Sequence, residues 1–245
     1  VKRQARVQLE MGGKNPLIVL DDADLDRAVN IALDGSFFAT GQRCTNTRRL
    51  MVQRAQMDAA VAVLTRLIEQ FMARALPDGF AADNAFGYAA LIDADAFARF
   101  EQAKKQAVKE GGTILFGKRL FEKQFPNGYY IEPALAVMPS QTAIMHQETF
   151  APILFIAPYD DFAQALSMLN APENAGLVSA VYTQSQEEAD TFAKESQAGH
   201  VLINPPKGTG TPAHGMGFGG NKHSGCGEIL NSTDPLAAFT LPTHF

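Results

Sequence analysis

The sequence predicts an α/β fold with a mostly parallel β-sheet, because short apolar runs alternate with helical patterns along the chain. The apolar runs are continuous rather than alternating, which is typical of strands buried on both faces of a parallel sheet. Six strands are predicted in this way. They are PLIVL (16–20), RLMVQ (49–53), TILF (113–116), ILFIA (153–157), VSAVYT (178–183) and HVLIN (200–204).

Four segments between these strands carry helical patterns. The acids of the segment 21–24 supply capping groups for a helix that runs through Ala32. Apolar residues recur at helical spacing in three further stretches, and Gly111-Gly112 ends the second of them. These stretches run from Met57 to Phe71, from Phe97 to Ala107 and from Phe162 to Leu169.

Composition limits the class of protein. The chain has 245 residues, a formal net charge of −5 and no basic run, which argues against nucleic acid as a partner. No apolar stretch is long enough to span a bilayer, and the first residues lack the apolar region of a signal peptide. Two cysteines without a spaced framework fit a reducing compartment, so we expect a cytoplasmic protein.

The segment from 204 to 227 is rich in Gly and Pro, which excludes helix and is typical of a functional loop. Gly215, Gly217 and Gly220 satisfy G-x-G-x-x-G. The preceding strand ends well before them and no helix follows, so we do not expect a dinucleotide phosphate to bind there in the Rossmann manner.

The same segment contains three residues of the types that bind metals. His214, His223 and Cys226 match no common zinc spacing and lack a fourth ligand. We therefore predict no metal site and interpret them as polar loop residues.

Cys44 lies in GQRCTNTRRL (41–50), and three roles are open to it: core residue, metal ligand or nucleophile. A cysteine is more often a small buried hydrophobe than a nucleophile. Cys44, however, follows a Gly-Gln-Arg turn and precedes three polar residues, so it lies at the boundary of an element. Arg43 and a nearby helix end are expected to lower the pKa of its thiol.

Glu10 is the residue that could assist such a nucleophile. It precedes a Gly-Gly turn in LEMGGKNP (9–16), and the two glycines allow the backbone to approach another group closely. A cysteine nucleophile needs a partner that activates water or accepts a proton. Taken alone, Glu10 is equally well explained as a solvated surface acid.

Four segments together resemble the signatures of the aldehyde dehydrogenase superfamily, in the family's order. They are LEMGGKNP (9–16), GQRC (41–44), QETFAPI (147–153) and GFGGNKHSG (217–225). FFATGQRC is similar to ketoglutarate semialdehyde dehydrogenases, whereas ETFAPIL and FGGNKHSG are more similar to aminoadipate semialdehyde dehydrogenases. The resemblance implies a three-layer α/β catalytic domain over residues 1–228. It also implies a tail over 229–245 that belongs to an oligomerisation element, and a cofactor domain that has no counterpart in this chain.

The resemblance further implies roles for individual residues. Cys44 corresponds to the nucleophile that forms a thiohemiacetal and then a thioester, and Glu10 to the general base that hydrolyses the thioester. Glu148 corresponds to the glutamate that binds the nicotinamide ribose, and Phe150 to the aromatic residue that packs near the nicotinamide. Gly12 lies in the turn that faces the cofactor, which is NAD or NADP.

Two residues are predicted to contact the substrate, a small-molecule aldehyde. Phe218 corresponds to an aromatic residue of the aldehyde tunnel. Arg43 suits bidentate contact with a carboxylate, and the semialdehyde resemblance favours an acid-bearing aldehyde. Phe150 could instead be plain core, and Arg43 could be structural or act only on the thiol.

We therefore expect an NAD(P)-dependent aldehyde dehydrogenase that is a homo-oligomer in its intact form, with this chain as a fragment of it. Two other classes of protein stay open on the sequence. A cysteine-dependent hydrolase would use Cys44 and Glu10 without a cofactor, and an assembly module would use neither.

Overall fold

The computed structural model describes residues 9–75, 87–171, 173, 175–210 and 218–226. Within them, seven strands form one sheet: β2 (Asn15–Val19), β3 (Thr47–Gln53), β4 (Thr113–Phe116), β7 (Ala134–Val137), β8 (Ile153–Tyr159), β10 (Val178–Tyr182) and β11 (His200–Ile203). Their order across the sheet is β11-β10-β2-β3-β8-β7-β4. Short pairs flank the sheet: β1 (Leu9–Glu10) with β13 (Gly225–Cys226), β5 (Arg119–Leu120) with β6 (Tyr130–Ile131), and β9 (Ala175–Gly176) with β12 (Asn221–Lys222).

All six predicted strands are present, and five of them are parallel to their neighbours. The prediction was wrong in one respect, since TILF forms β4, which pairs antiparallel with β7 at an edge of the sheet and is only half-buried. The prediction also missed β7, whose sequence ALAV is short and lies between Pro133 and Pro139. Alanine is depleted in strands, so this segment gives a weak signal.

Five α-helices are formed by the described residues: α1 (Leu25–Phe37), α2 (Met57–Ala75), α3 (Ala94–Lys109), α4 (Phe162–Asn170) and α5 (Gln186–Glu195). Helix α1 extends beyond the predicted Ala32. Of the predicted capping acids, Asp24 accepts the N–H of Arg27 at 3.1 Å, whereas Asp22 accepts the N–H of Gln184.

Helix α5 was missed because it is strongly polar and buries only Ala189 and Phe192 among its residues. The sequence did contain a usable signal for it. Ser185 and Glu188 have the spacing of a capping box, and the Ser185 hydroxyl accepts the Glu188 N–H at 3.3 Å.

The sheet is the middle of three layers, as predicted. Alternate strand residues such as Leu17, Leu50 and Ile156 pack against α1 and α2 on one face. Their neighbours Ile18 and Met51 pack against α4 and α5 on the other face, and α3 covers β7 and β8 beside them. Because both faces are buried, the strands are continuously apolar.

None of the helices in the described ranges combines the length and apolar character needed to cross a membrane. The predicted tail, residues 229–245, lies outside the described residues, as do Gly215, Gly217 and His214.

Candidate active site

The predicted nucleophile and carboxylates gather at the edge of the sheet where the parallel strands begin. Cys44 immediately precedes β3, while Glu148 and Phe150 immediately precede β8, the strand next to it. Glu10 and the turn that follows it precede β2, on the other side of β3. Open α/β sheets more commonly place ligands at the carboxyl ends of their strands. Here the chemically active groups lie at the amino ends.

Cys44 is carried by a tight turn between α1 and β3. Ala39, Thr40 and Gly41 in this turn all have left-handed φ angles, of 53°, 56° and 67°. Only glycine fits at position 41, because a Cβ there would lie 2.5 Å from the carbonyl oxygen of Ala151. The turn therefore touches the segment that leads into β8.

Buried Asn46 shapes this turn from within. Its side-chain oxygen accepts the N–H of Arg43 at 2.8 Å, and its amide donates to the carbonyls of Gly35 at 2.7 Å and Phe38 at 3.1 Å. Each of these bonds satisfies a main-chain group that the irregular turn would otherwise leave unpaired. Asn46 thus fixes the path of the chain on both sides of the thiol.

Buried Asn15, in LEMGGKNP, joins three segments of the site. Its amide donates to the carbonyls of Cys44 at 2.7 Å and Asn46 at 2.8 Å, and its oxygen accepts the N–H of Val178 at 3.1 Å. Sequence reasoning gave Asn15 and Asn46 no role. An amide side chain next to a fully apolar strand was an available signal, because buried polar groups need partners.

The Cys44 thiol is half-buried, and its pKa is raised above the ordinary cysteine value. Burial is the main cause, and the carboxylates of Glu10 and Glu148 add to it. The thiol's own main-chain N–H and Arg43 act in the opposite direction but are outweighed. The expectation of a lowered thiol pKa was therefore wrong for this chain, because burial, reinforced by two carboxylates, outweighs the effect of Arg43.

Glu10 is exposed and lies on β1, opposite Gly225 of β13. The two strands approach so closely that a Cβ on Gly225 would lie 2.1 Å from the carbonyl oxygen of Leu9. A glycine of the fourth signature thus allows the strand that carries Glu10 to form. Because Glu10 raises the pKa of Cys44, its charge acts directly on the thiol.

The carboxylate of Glu148 rests on the Gly12-Gly13 turn. Gly12 has a φ of +81°, and a Cβ there would lie 2.0 Å from Glu148 Oε2, while the N–H of Gly13 donates to Oε1 at 3.2 Å. The residue is exposed overall, but its carboxylate end is enclosed, and burial raises the pKa of this group against the opposing effects of Gly13, Arg48 and Lys14. Gly12 therefore makes room for Glu148.

Phe150 occupies a strained position beside Glu148. Its φ is +54°, a conformation that is uncommon for a bulky residue and that concentrates at functional sites. Its side chain is 36% exposed, so it is not an ordinary core residue. Its ring faces the buried guanidinium of Arg48, 6.0 Å from the ring centroid.

The two predicted substrate residues lie in different places. The guanidinium of Arg43 lies over the ring of Phe38, 5.1 Å from its centroid, next to the nucleophile. The ring of Phe218 packs against His200 with centroids 4.9 Å apart, and His200 begins β11, three strands away from β3. The structure therefore keeps Arg43 near Cys44 and places Phe218 further along the same edge.

A cavity of about 420 Å³ opens beside Glu148, between α3 and the segment that precedes β8. Its polar lining includes Arg99 and Gln102 from α3, together with Gln147 and Thr149. Sequence reasoning missed the two helical residues, because they lie on a helix that was interpreted only through its apolar stripe.

The described residues contain no group of three His, Cys, Asp or Glu side chains that could hold a metal ion. His223 and Cys226 are among those residues, and His214 is outside them.

The chain belongs to the aldehyde dehydrogenase family, because the sequence model of that family matches residues 1–244. It is 37% identical over 205 residues to lactaldehyde dehydrogenase of Escherichia coli, covering 83% of this chain and 41% of that protein. It is 34% identical over 209 residues to the alpha-ketoglutaric semialdehyde dehydrogenase of Bacillus subtilis, and 32% identical over 234 residues to the alpha-aminoadipic semialdehyde dehydrogenase of Bos taurus. The matched regions cover 82% and 94% of this chain, respectively, and 41% of each relative. The resemblance to both semialdehyde enzymes is confirmed.

Solved structures show the same relationship. A 3,6-anhydro-L-galactose dehydrogenase in complex with NAP has a TM-score of 0.83 and 31% identity, covering 95% of this chain and 47% of the other. A betaine aldehyde dehydrogenase from Staphylococcus aureus in complex with NAD+ has a TM-score of 0.81 and 30% identity, covering 94% and 44%. This chain spans less than half the length of each of these relatives.

Proposed function

We propose that this chain is the catalytic half of an NAD(P)-dependent aldehyde dehydrogenase. The observation that carries the proposal is the meeting of one half-buried thiol with two carboxylates, Glu10 and Glu148, at the amino edge of the sheet. These groups come from three separate signatures, and together they can attack a carbonyl, hold a cofactor and activate water. Residues 1–228 form this catalytic domain, and residues 229–245 belong to an oligomerisation element.

Cys44 begins the reaction as a thiolate that attacks the carbonyl carbon of the aldehyde. The oxyanion that develops is stabilised by the main-chain N–H of Cys44 itself. When it is bound, the nicotinamide cofactor supplies the hydride acceptor. Loss of hydride leaves a thioester on Cys44, and Glu10 removes a proton from the water that hydrolyses it. The exposure of Glu10 suits this step, because the base must meet water.

The described residues fit one end of a dinucleotide. The Glu148 carboxylate would accept hydrogen bonds from the ribose hydroxyls, and the exposed ring of Phe150 would pack near the nicotinamide. The cavity lined by Arg99 and Gln102 continues from Glu148 and suits the polar part of the molecule. The rest of the cofactor, NAD or NADP, would be held by a nucleotide-binding half of the intact enzyme.

The substrate is proposed to be an acid-bearing semialdehyde. Arg43 lies beside the nucleophile, and a guanidinium can form two parallel hydrogen bonds with a carboxylate. Two of the similar proteins are named as semialdehyde dehydrogenases. The intact enzyme is proposed to be a homo-oligomer in the cytoplasm, where its two cysteines would stay reduced.

The roles of Cys44 and Glu10 can be separated by rapid kinetics in the protein that includes the nucleotide-binding half. Cys44→Ala should abolish oxidation. Glu10→Gln should give a burst of reduced cofactor equal to one turnover and then almost no steady rate, because the thioester is no longer hydrolysed. A Glu10→Gln variant that binds cofactor normally but loses the burst would show that Glu10 acts earlier, on the thiol.

A cysteine-dependent hydrolase is the second candidate. The observation in its favour is that Cys44 and Glu10, the two groups such an enzyme needs, both lie in this chain. Such an enzyme would hydrolyse p-nitrophenyl esters without cofactor and would have no aldehyde oxidation. Aldehyde oxidation, measured in the protein that includes the nucleotide-binding half, distinguishes the two functions, because a dehydrogenase that forms a thioester on Cys44 would hydrolyse such esters as well.

A further inference from the structure

Arg48 is a fully buried cation behind the nucleophile, with 0% of its surface exposed. In the described part of the chain its hydrogen-bond acceptors are main-chain carbonyls rather than carboxylates. They belong to Ala151 at 2.9 Å, Arg43 at 3.1 Å and, at closer range, Gly41. A buried charge without an ion partner is costly, so its presence here calls for a compensating role.

The three carbonyls lie in the two segments that form the site. Gly41 and Arg43 belong to the turn that carries Cys44, and Ala151 directly follows Phe150 in the segment before β8. These segments already approach each other closely at Gly41. The planar guanidinium spans this contact and donates to both sides of it. The position of the thiol relative to Phe150 and its neighbour Glu148 therefore depends on Arg48.

The charge of Arg48 also reaches the site. Burial lowers the pKa of this arginine to about 10, whereas Glu148 and Cys44 both raise it. Electrostatic coupling is reciprocal, so the guanidinium favours the thiolate form of Cys44 in return, although burial, Glu10, Glu148, the main-chain N–H and Arg43 dominate the pKa of the thiol. The other charged groups that act on the thiol are Glu10 and Glu148, which disfavour the thiolate, and Arg43, which favours it.

We propose that Arg48 is a positioning residue that holds the Cys44 turn against the Glu148–Ala151 segment and places a positive charge within electrostatic reach of the thiol. This rests on the proposed function in one respect, because it takes Cys44 to be the nucleophile. The role is separate from substrate contact, since Arg48 is buried and its two terminal nitrogens donate to main-chain oxygens.

Arg49 provides a matched control on the same strand. It is also fully buried, but its guanidinium donates to the carbonyl of Lys14 at 2.9 Å and to Oε1 of Gln141 at 2.6 Å. The pKa of Arg49 is lowered to about 9 by burial alone, without an effect from Cys44 or Glu148. Removing either arginine thus deletes one buried cation of equal size, and only Arg48 is coupled to the thiol.

The test measures the alkylation of Cys44 by iodoacetamide in the 245-residue chain, between about pH 6 and pH 10, with mass spectrometry to separate Cys44 from Cys226. Arg48→Met should move the midpoint of the rate profile to higher pH and slow alkylation at pH 8, since the rate follows the thiolate fraction. Arg48→Lys keeps the charge and should restore much of this rate. Arg49→Met should leave the midpoint unchanged.

Three results would overturn the proposal, and they are distinguishable. An unchanged pH profile in Arg48→Met would show that Arg48 does not act on the thiol. Failure of Arg48→Met, Arg48→Lys and Arg48→Gln to fold, judged by circular dichroism, would make Arg48 a requirement of the fold rather than of the site. If wild-type Cys44 resists alkylation even at pH 10, the thiol is not a nucleophile, and the proposed function is wrong as well.

Discussion

The side-chain amide of Asn15 donates a 2.7 Å hydrogen bond to the carbonyl oxygen of Cys44. The same amide donates to the carbonyl of Asn46, and its oxygen accepts the N–H of Val178. One buried side chain thus connects the strand behind the Glu10 signature, the nucleophile turn and the neighbouring strand β10. The position of Cys44 is set by this connection as well as by its own turn.

Asn15→Ala should destabilise the chain by about 3 kcal/mol, because three buried main-chain groups lose their partner. Urea unfolding measures the change. Asn170→Ala is the control, since Asn170 also bonds two main-chain groups, of Glu195 and Gln197, but in exposed surroundings. Asn170→Ala should lower the free energy of unfolding by less than about 1 kcal/mol. Equal losses in the two variants would contradict a special role for Asn15.

Gly12→Ala should displace the Glu148 carboxylate and destabilise the chain by about 2 kcal/mol. The new Cβ would lie 2.0 Å from Glu148 Oε2, and alanine is disfavoured at a φ of +81°. Gly210→Ala is the matched control, because a Cβ at Gly210 meets nothing within 4 Å. Thermal unfolding compares them, and a Gly12→Ala variant as stable as Gly210→Ala would refute the contact.

Alkylation of Cys44 should be slow at neutral pH and should increase only above the ordinary cysteine pKa of about 8.5, because burial and two carboxylates raise the pKa of this thiol. Glu10→Gln and Glu148→Gln should each move the midpoint of the profile to lower pH, since each removes a negative charge. Glu187→Gln, on the exposed first turn of α5, should have no effect. A wild-type midpoint below pH 8 would contradict this prediction.

Arg43→Met should weaken the use of acid-bearing aldehydes in the intact enzyme by about 1.5–3 kcal/mol, the scale of a charge-assisted hydrogen bond. Neutral aldehydes of equal length should be almost unaffected. Comparing kcat/KM for succinic semialdehyde and butanal measures the difference. An equal loss on both would instead assign Arg43 to the thiol, whose pKa it lowers, or to its contact with Phe38.

Much of the fold could be predicted because strands buried on both faces are continuously apolar, as PLIVL and ILFIA show. Local composition could not reveal that TILF pairs antiparallel, since direction depends on the strand beside it. Helix α5 was missed for a different reason, because it buries only two of its residues and so lacks a strong apolar stripe.

The sequence by itself determined most of the order of elements, the family and the identity of Cys44, Glu10 and Glu148 as residues to consider, because each depends on a short local pattern. Only the tertiary structure decided how these residues act on one another. Gly13 and Glu148 share a hydrogen bond across 135 residues of sequence, and the thiol pKa is raised by carboxylates from two distant segments. The burial and the charge at a site depend on all the residues around it in space, and these residues cannot be identified from neighbouring positions in the sequence.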